Sequence, residues 1–225
     1  MVHNVPMRLV LASASPARRA TLIAAGITPI VQVSTVDEDA VLAALPGGRA
    51  FSGGTTTPAD EVAALAAAKC TDVCEALSAP DTNAELPEGE AVLVVGCDSM
   101  LEIDGQMLGK PHTPDVARER IRAMRRTTAT LWTGHSAAIL APASSNDGTA
   151  HERTISAPVT RSASTQVHFG DISDAEIDAY VATGEPLHVA GSFTVDGLGG
   201  PFIEGVTGDY HSVVGISLPL LRSMA

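Results

Sequence analysis

The sequence predicts an α/β fold, on two observations. Residues 91–95 (AVLVV) are continuously apolar, as in a strand covered on both faces by helices. Residues 7–12 form a second apolar run that meets Ser13-Ala14-Ser15-Pro16 at once, the pattern of a buried strand, a turn and a helix start. Ser15 is a good N-cap with Pro16 in the first helical position, and Gly26 closes that helix.

The remaining elements follow in order. Residues 30–36 read as a strand ending in the acidic triplet Asp37, Glu38 and Asp39, and residues 46–57 as an exposed, mobile Gly/Thr-rich loop. Thr57, Pro58, Asp60 and Glu61 open a helix that runs to about Leu77 and carries Lys69. Residues 79–90 read as a polar linker. The strand at 91–95 ends at Gly96-Cys97-Asp98-Ser99, and residues 100–108 form a hairpin around Asp104-Gly105. Thr113-Pro114 opens a helix through Met124. Residues 131–140 and 165–169 read as strands joined by a long flexible Ser/Ala/Thr loop, 141–164. Ser173 to Glu176 is a capping box whose helix stops at Thr183-Gly184. The last segment, 197–221, is Gly-rich and then apolar.

Composition narrows the function classes. With 14 Lys and Arg against 26 Asp and Glu, the formal net charge is −12, which repels a nucleic acid polymer. Aromatic residues make up only 3%, too few for a base-stacking platform. A small phosphorylated ligand stays open, because a local cationic cluster can outweigh the global field. No apolar run of about 18 residues marks a membrane helix, and residues 1–10 lack a signal-peptide pattern. Three cysteines, Cys70, Cys74 and Cys97, fit no zinc spacing and read as buried thiols of a cytoplasmic protein. At 225 residues the chain is expected to form a single domain.

Four groups of residues could carry chemistry. In Ser13-Ala14-Ser15-Pro16-Ala17-Arg18-Arg19, two arginines oppose the positive end of a helix dipole; a bound anion there would reverse that cost. Solvated arginines beside an ordinary cap are the plainer account. Asp98, at a predicted strand end, can hold a divalent metal or take a proton from water. Glu38 is its natural second carboxylate, with Asp37 and Asp39 as rivals. Lys69 and Lys110 are the only lysines in the chain, and both adjoin these segments. Residues 190–200 are rich in glycine but follow no dinucleotide fingerprint; close backbone approach or simple turns account for them. The seven histidines show no metal-ligand spacing.

These segments, in this order, resemble the Maf family of nucleotide pyrophosphatases. The likeness lies in Leu11-Ala12-Ser13-Ala14-Ser15-Pro16-Ala17-Arg18, Gly96-Cys97-Asp98-Ser99, Leu108-Gly109-Lys110-Pro111 and Trp132-Thr133-Gly134. It continues in Tyr180-Val181-Ala182-Thr183-Gly184-Glu185-Pro186, Gly197-Leu198-Gly199 and Gly208-Asp209-Tyr210, and so covers nearly the whole chain.

The resemblance implies a long mixed twisted sheet flanked by helices, with a nucleotide-binding cleft between two lobes. It implies hydrolysis of nucleoside triphosphates to monophosphate and pyrophosphate, assisted by Mg²⁺ or Mn²⁺. Ser13, Ser15 and Arg18 would then hold the phosphates, with Lys69 and Lys110 neutralising developing charge. Asp98 would accept the proton of the attacking water, and Glu38 with Asp98 would hold the metal. A homodimer is also implied. Ala17, Ser99 and Asp196 depart from the family's pattern at positions where members differ by substrate. An ionised Asp196 accepts hydrogen bonds but donates none, unlike the Gln of members acting on dTTP and UTP. A nucleotide-binding regulator of cell division that needs no hydrolysis is the alternative from another class.

Overall fold

The computed structural model describes residues 7–79, 86–87, 89–142 and 153–224. Its elements are β1 (Arg8–Ala12), α1 (Pro16–Ala24), β2 (Ile30–Val31), α2 (Glu38–Ala43), α3 (Pro58–Ser78), β3 (Val92–Ile103), β4 (Gln106–Leu108) and α4 (Pro114–Met124). There follow β5 (Thr128–Pro142), β6 (Arg153–Ile155), β7 (Val159–Phe169), α5 (Asp174–Ala182), β8 (Ile203–Thr207), α6 (Tyr210–Val214) and α7 (Leu218–Met224). One mixed sheet in the order β2-β1-β3-β5-β7-β8 carries them, with β4 added to β3 and β6 to β5. The expected α/β architecture holds.

The helices begin where their local chemistry says. Ser15 Oγ accepts from the Arg18 N–H, Thr57 and Asp60 form a reciprocal capping box, and Ser173 and Glu176 form another. In the middle of the sheet, side chains of β3 alternate between two apolar layers. Val92 and Val94 pack under α3 with Cys70, Val73, Cys74 and Leu77. Leu93, Val95 and Cys97 face α1 and α7 with Leu22, Ile216 and Leu221. A third layer surrounds α4 and α5 and includes Ile121, Ile177, Tyr180 and Phe193. All three cysteines are buried and free.

Three features place α3 and the cleft. Gly96 and Gly134 have no side chain to hold the helix off the sheet. A Cβ on Gly96 would lie 2.4 Å from the Ala66 carbonyl oxygen, and one on Gly134 2.0 Å from that of Val62. Secondly, β1 stops at Ala12 opposite Gly96, while β4 joins β3 only at Leu101. Among the described residues, positions 97–100 therefore lack a neighbouring strand on that edge. The gap is the floor of a cleft. Thirdly, the carboxylate of fully buried Glu61 accepts from Arg49 Nε (2.6 Å), Arg49 Nη2 (3.2 Å) and the Ala50 N–H (2.8 Å).

Several expectations need correction. Asp98 lies inside the twelve-residue strand β3, not beyond a strand end; it is the parallel partner β1 that ends beside it. The strand expected at 30–36 shrinks to Ile30–Val31, because its partner β1 runs out at Ala12, just beyond the bond from the Gln32 N–H to Leu11 O (3.1 Å). Asp37 caps α2, which hides Glu38 in a helix start. The loop expected at 141–164 is largely sheet: β5 reaches Pro142, β6 spans Arg153–Ile155 and β7 starts at Val159. Its polar residues pair with long β5 through backbone ladders, as in Thr160 opposite Ser136, so no apolar alternation announces them. Residues 143–152 lie outside the described residues. The loop at 46–57 is exposed over 51–55, as expected, but Glu61 pins it at Arg49 and Ala50.

His135 sits in β5 opposite Cys97, fully buried, where its Nε2 accepts from the Ser217 N–H at 2.8 Å. Burial, and next the Arg18 charge, push its pKa down from 6.5 to about 4. The unfolded chain thus takes up this proton below pH 6.5, whereas the folded protein resists until about pH 4. Stability is whole above pH 6.5 and declines as the pH falls through that window, by up to about 3 kcal/mol. Urea denaturation at pH 7.5 and 4.5 is expected to show the decline, and His135→Gln to flatten it. Equal slopes in the two proteins would remove His135 as the cause.

Candidate active site

All ten residues singled out from the sequence line one cleft of about 930 Å³: Ser13, Ser15, Ala17, Arg18, Glu38, Lys69, Asp98, Ser99, Lys110 and Asp196. At its floor, Lys69 reaches from α3 to two carboxylates. Its Nζ donates to Asp98 Oδ1 at 2.5 Å and to Glu38 Oε1 at 2.6 Å. The close seat of α3 on Gly96 and Gly134 makes the first of these contacts possible.

The two carboxylates differ in setting. Asp98 is 7% exposed, and burial raises its pKa above the usual Asp range, against the attraction of Lys69 and Arg18. Glu38 is also raised by its partial burial, but the hydrogen bond and charge of Lys69, with the charges of Lys110 and Arg18, hold it below the usual range overall. Two neighbouring acids are therefore pushed apart, the arrangement that separates a proton acceptor from a fixed charge.

Arg18 closes the opposite wall. Its Nε donates to Gly215 O (2.7 Å), Nη1 to Ser13 Oγ (2.9 Å) and Nη2 to Ser99 Oγ (3.1 Å). Ser99 in turn meets Thr133 Oγ1 at 3.0 Å, which donates to Ser212 O at 2.9 Å. Ser99 thus orients Arg18. Arg18 does not extend into solvent, whereas Arg19 is exposed. Ser13 Oγ accepts from the Ser15 N–H at 3.2 Å, and Ala17 lies in the first turn of α1. Lys110 follows a turn fixed on both sides: Gly109 O accepts from Arg120 Nη1 at 2.9 Å and from the Gly191 N–H at 3.2 Å.

Sequence reasoning missed Arg49, His112 and His188, which also line the cleft. The lone arginine of a Gly-rich loop was the only hint of the first. The glycines at 197 and 199 approach the Glu185 carboxylate and the Tyr180 hydroxyl, so their close packing is internal.

Glu38 and Asp98 fit a divalent cation on the chemistry of the donor set. Both present oxygen, and the Lys69 ammonium already bridges them, so the place between them suits positive charge. Among the described residues no third His, Cys, Asp or Glu completes a protein cage. One or two carboxylates completed by phosphate oxygens and water is how Mg²⁺ is commonly held.

The fold is α/β, and its cleft gathers an acidic pair bridged by Lys69 and faced by Arg18. Residues 8–225 match the family described as Maf-like protein, and the chain belongs to it. It is 49% identical over 217 residues to the nucleoside triphosphate pyrophosphatase of Nocardia farcinica, covering 96% of this chain and 90% of that protein. It is 49% identical to the protein of the same name from Rhodococcus jostii, covering 96% and 89%, and 48% identical to that of Streptomyces coelicolor, covering 96% and 88%. No described helix is long and apolar enough to cross a membrane.

Proposed function

We propose that this chain hydrolyses nucleoside triphosphates to the monophosphate and pyrophosphate, with Asp98 as the proton acceptor. The observation that carries the reading is the Glu38–Lys69–Asp98 cluster at the cleft floor, facing Arg18 at the start of α1. The names of the relatives support the same reaction. Ser13, Ser15, Arg18 and the Ala17 N–H in the first turn of α1 would hold the triphosphate, since a helix start offers both a donor and a favourable dipole. Asp98 Oδ would take a proton from water as its oxygen bonds to the α-phosphorus. The bond from that phosphorus to the bridging oxygen breaks, and pyrophosphate leaves. Lys110, exposed at the rim, and Lys69 would balance the charge gathering on the leaving group. Mg²⁺ or Mn²⁺, held by Glu38 and Asp98, would supply further charge neutralisation and alignment of the phosphates. Asp196 would meet the base and accept from its N–H groups. A cytoplasmic location agrees with three unpaired thiols, and a homodimer follows from the family likeness.

The test is a product-resolved screen of natural and methylated nucleoside triphosphates with each metal. Monophosphate plus pyrophosphate is the expected result. Diphosphate plus orthophosphate would replace the reaction with terminal dephosphorylation, and binding without turnover would point to a regulator.

A further inference from the structure

The segment 193–199 forms part of the cleft wall through Phe193, Thr194, Val195 and Asp196, yet it belongs to no strand or α-helix. Its start is anchored: Phe193 is buried and meets Phe169 edge-on at 4.9 Å between ring centroids. Beyond Phe193 a single carboxylate takes over. Glu185 Oε1 accepts from Thr194 Oγ1 (2.5 Å), Tyr180 Oη (3.1 Å) and the Gly199 N–H (3.2 Å), while Oε2 accepts from the Leu198 N–H (3.2 Å). Tyr180 Oη also accepts from the Thr194 N–H at 3.2 Å.

The backbone closes tightly around this carboxylate. A Cβ on Gly197 would fall 2.8 Å from Glu185 Oε2, and one on Gly199 2.7 Å from Tyr180 Oη. Asp196 is the exposed tip of the segment so held, flanked on both sides by residues that Glu185 grips. Glu185 itself begins the short helical turn Glu185–His188, whose last residue lines the same cleft. One side chain therefore ties two stretches of the cleft wall to α5.

We infer that Glu185 is a positioning residue for base discrimination, fixing Asp196 where a nucleotide base meets it. The inference rests on the proposed triphosphate hydrolysis. Glu185 touches no substrate, and its effect passes through the segment it holds. Loss of the carboxylate frees the tip, and the energy separating a matched base from a mismatched one shrinks.

The test is the ratio of kcat/KM for the best and second-best triphosphates, measured on one preparation so that the fraction of active protein cancels. Glu185→Gln keeps size and one acceptor oxygen but sets an amide N–H₂ against the loop's donors. It is expected to reduce the ratio about tenfold, a typical worth for pocket contacts, with the change mainly in KM. In an Asp196→Asn background the same substitution is expected to change the ratio no further, the mark of two residues acting as one unit. Thr194→Val removes the hydroxyl that donates to Glu185 and accepts from the Gly199 N–H but leaves the Glu185 carboxylate its bonds to Tyr180 Oη and to the Leu198 and Gly199 N–H groups, and is expected to move the ratio the same way by less, which serves if Glu185→Gln fails to fold. An unchanged ratio beside a lowered melting temperature would overturn the inference and leave Glu185 a structural residue. Absence of turnover in the wild type would instead overturn the hydrolytic reading.

Discussion

Asp98→Asn is expected to lower kcat by about 10²- to 10⁴-fold, the usual worth of a positioned proton acceptor, while the protein still folds and binds nucleotide. Asn has nearly the same shape, so β3 and its cross-strand pairing with Gly134 are undisturbed. Lys69 keeps Glu38 as its counter-charge at 2.6 Å, so the variant strands no lone buried cation. What goes is the carboxylate proposed to take the proton, and with it one of the two proposed metal ligands. A proton acceptor must be ionised to act, so wild-type activity is expected to fall toward acid pH as the Asp98 carboxyl becomes protonated, and the residual activity of the variant to lack this limb. Turnover at saturating metal, a melting curve and a nucleotide-binding titration check the three parts. Turnover within tenfold of wild type would remove Asp98 as the base.

That prediction depends on geometry only partly legible in the sequence. Elements set by local chemistry read well. Ser15-Pro16, the Thr57/Asp60 box and the Ser173/Glu176 box each write a helix start into a few adjacent residues, and Asp104-Gly105 writes the β3–β4 hairpin. Elements set by partners read poorly. Residues 159–164 are mostly exposed and polar, and become strand only because β5 is long enough to pair with them. Strand β3 runs on through Asp98 because β5 holds its other edge, which a polar residue after an apolar run conceals.

The candidate site divides the same way. Seven of its ten members, Ser13, Ser15, Arg18, Glu38, Lys69, Asp98 and Lys110, were visible in their own residue chemistry, whereas Ala17, Ser99 and Asp196 came only from the family likeness. The groups that hold them were not visible. Glu61 reads as a first-turn acid of α3, and only the folded chain buries it against Arg49, twelve residues away. Glu185 reads as the residue after a helix-ending glycine, and its role depends on a segment that returns to it at 194–199. Ser99 reads as a specificity position, while its hydroxyl is spent on Arg18, 81 residues distant. Residue chemistry is local and announces itself; orientation depends on which distant groups arrive.

Gly134→Ala is expected to damage activity and stability together, by about 10²-fold in kcat/KM and about 1–3 kcal/mol in unfolding free energy. The added Cβ would stand 2.0 Å from the Val62 carbonyl oxygen, 2.3 Å from its carbonyl carbon and 2.8 Å from the Ala63 nitrogen. All three are backbone atoms in the first turns of α3, so no rotamer change makes room and the helix itself must lift. Lys69 lies two turns further along that helix, and its 2.5 Å contact with Asp98 requires the helix to remain seated. Displacement of about 1 Å therefore reaches the Lys69–Asp98 pair through the helix. A merely destabilising substitution would leave kcat/KM per folded molecule intact. Active-site titration with a tight nucleotide ligand, set against chemical denaturation, separates the two. Normal kcat/KM in folded Gly134→Ala would show that Lys69 keeps its place without the close seat of α3, and that this glycine has no bearing on the chemistry.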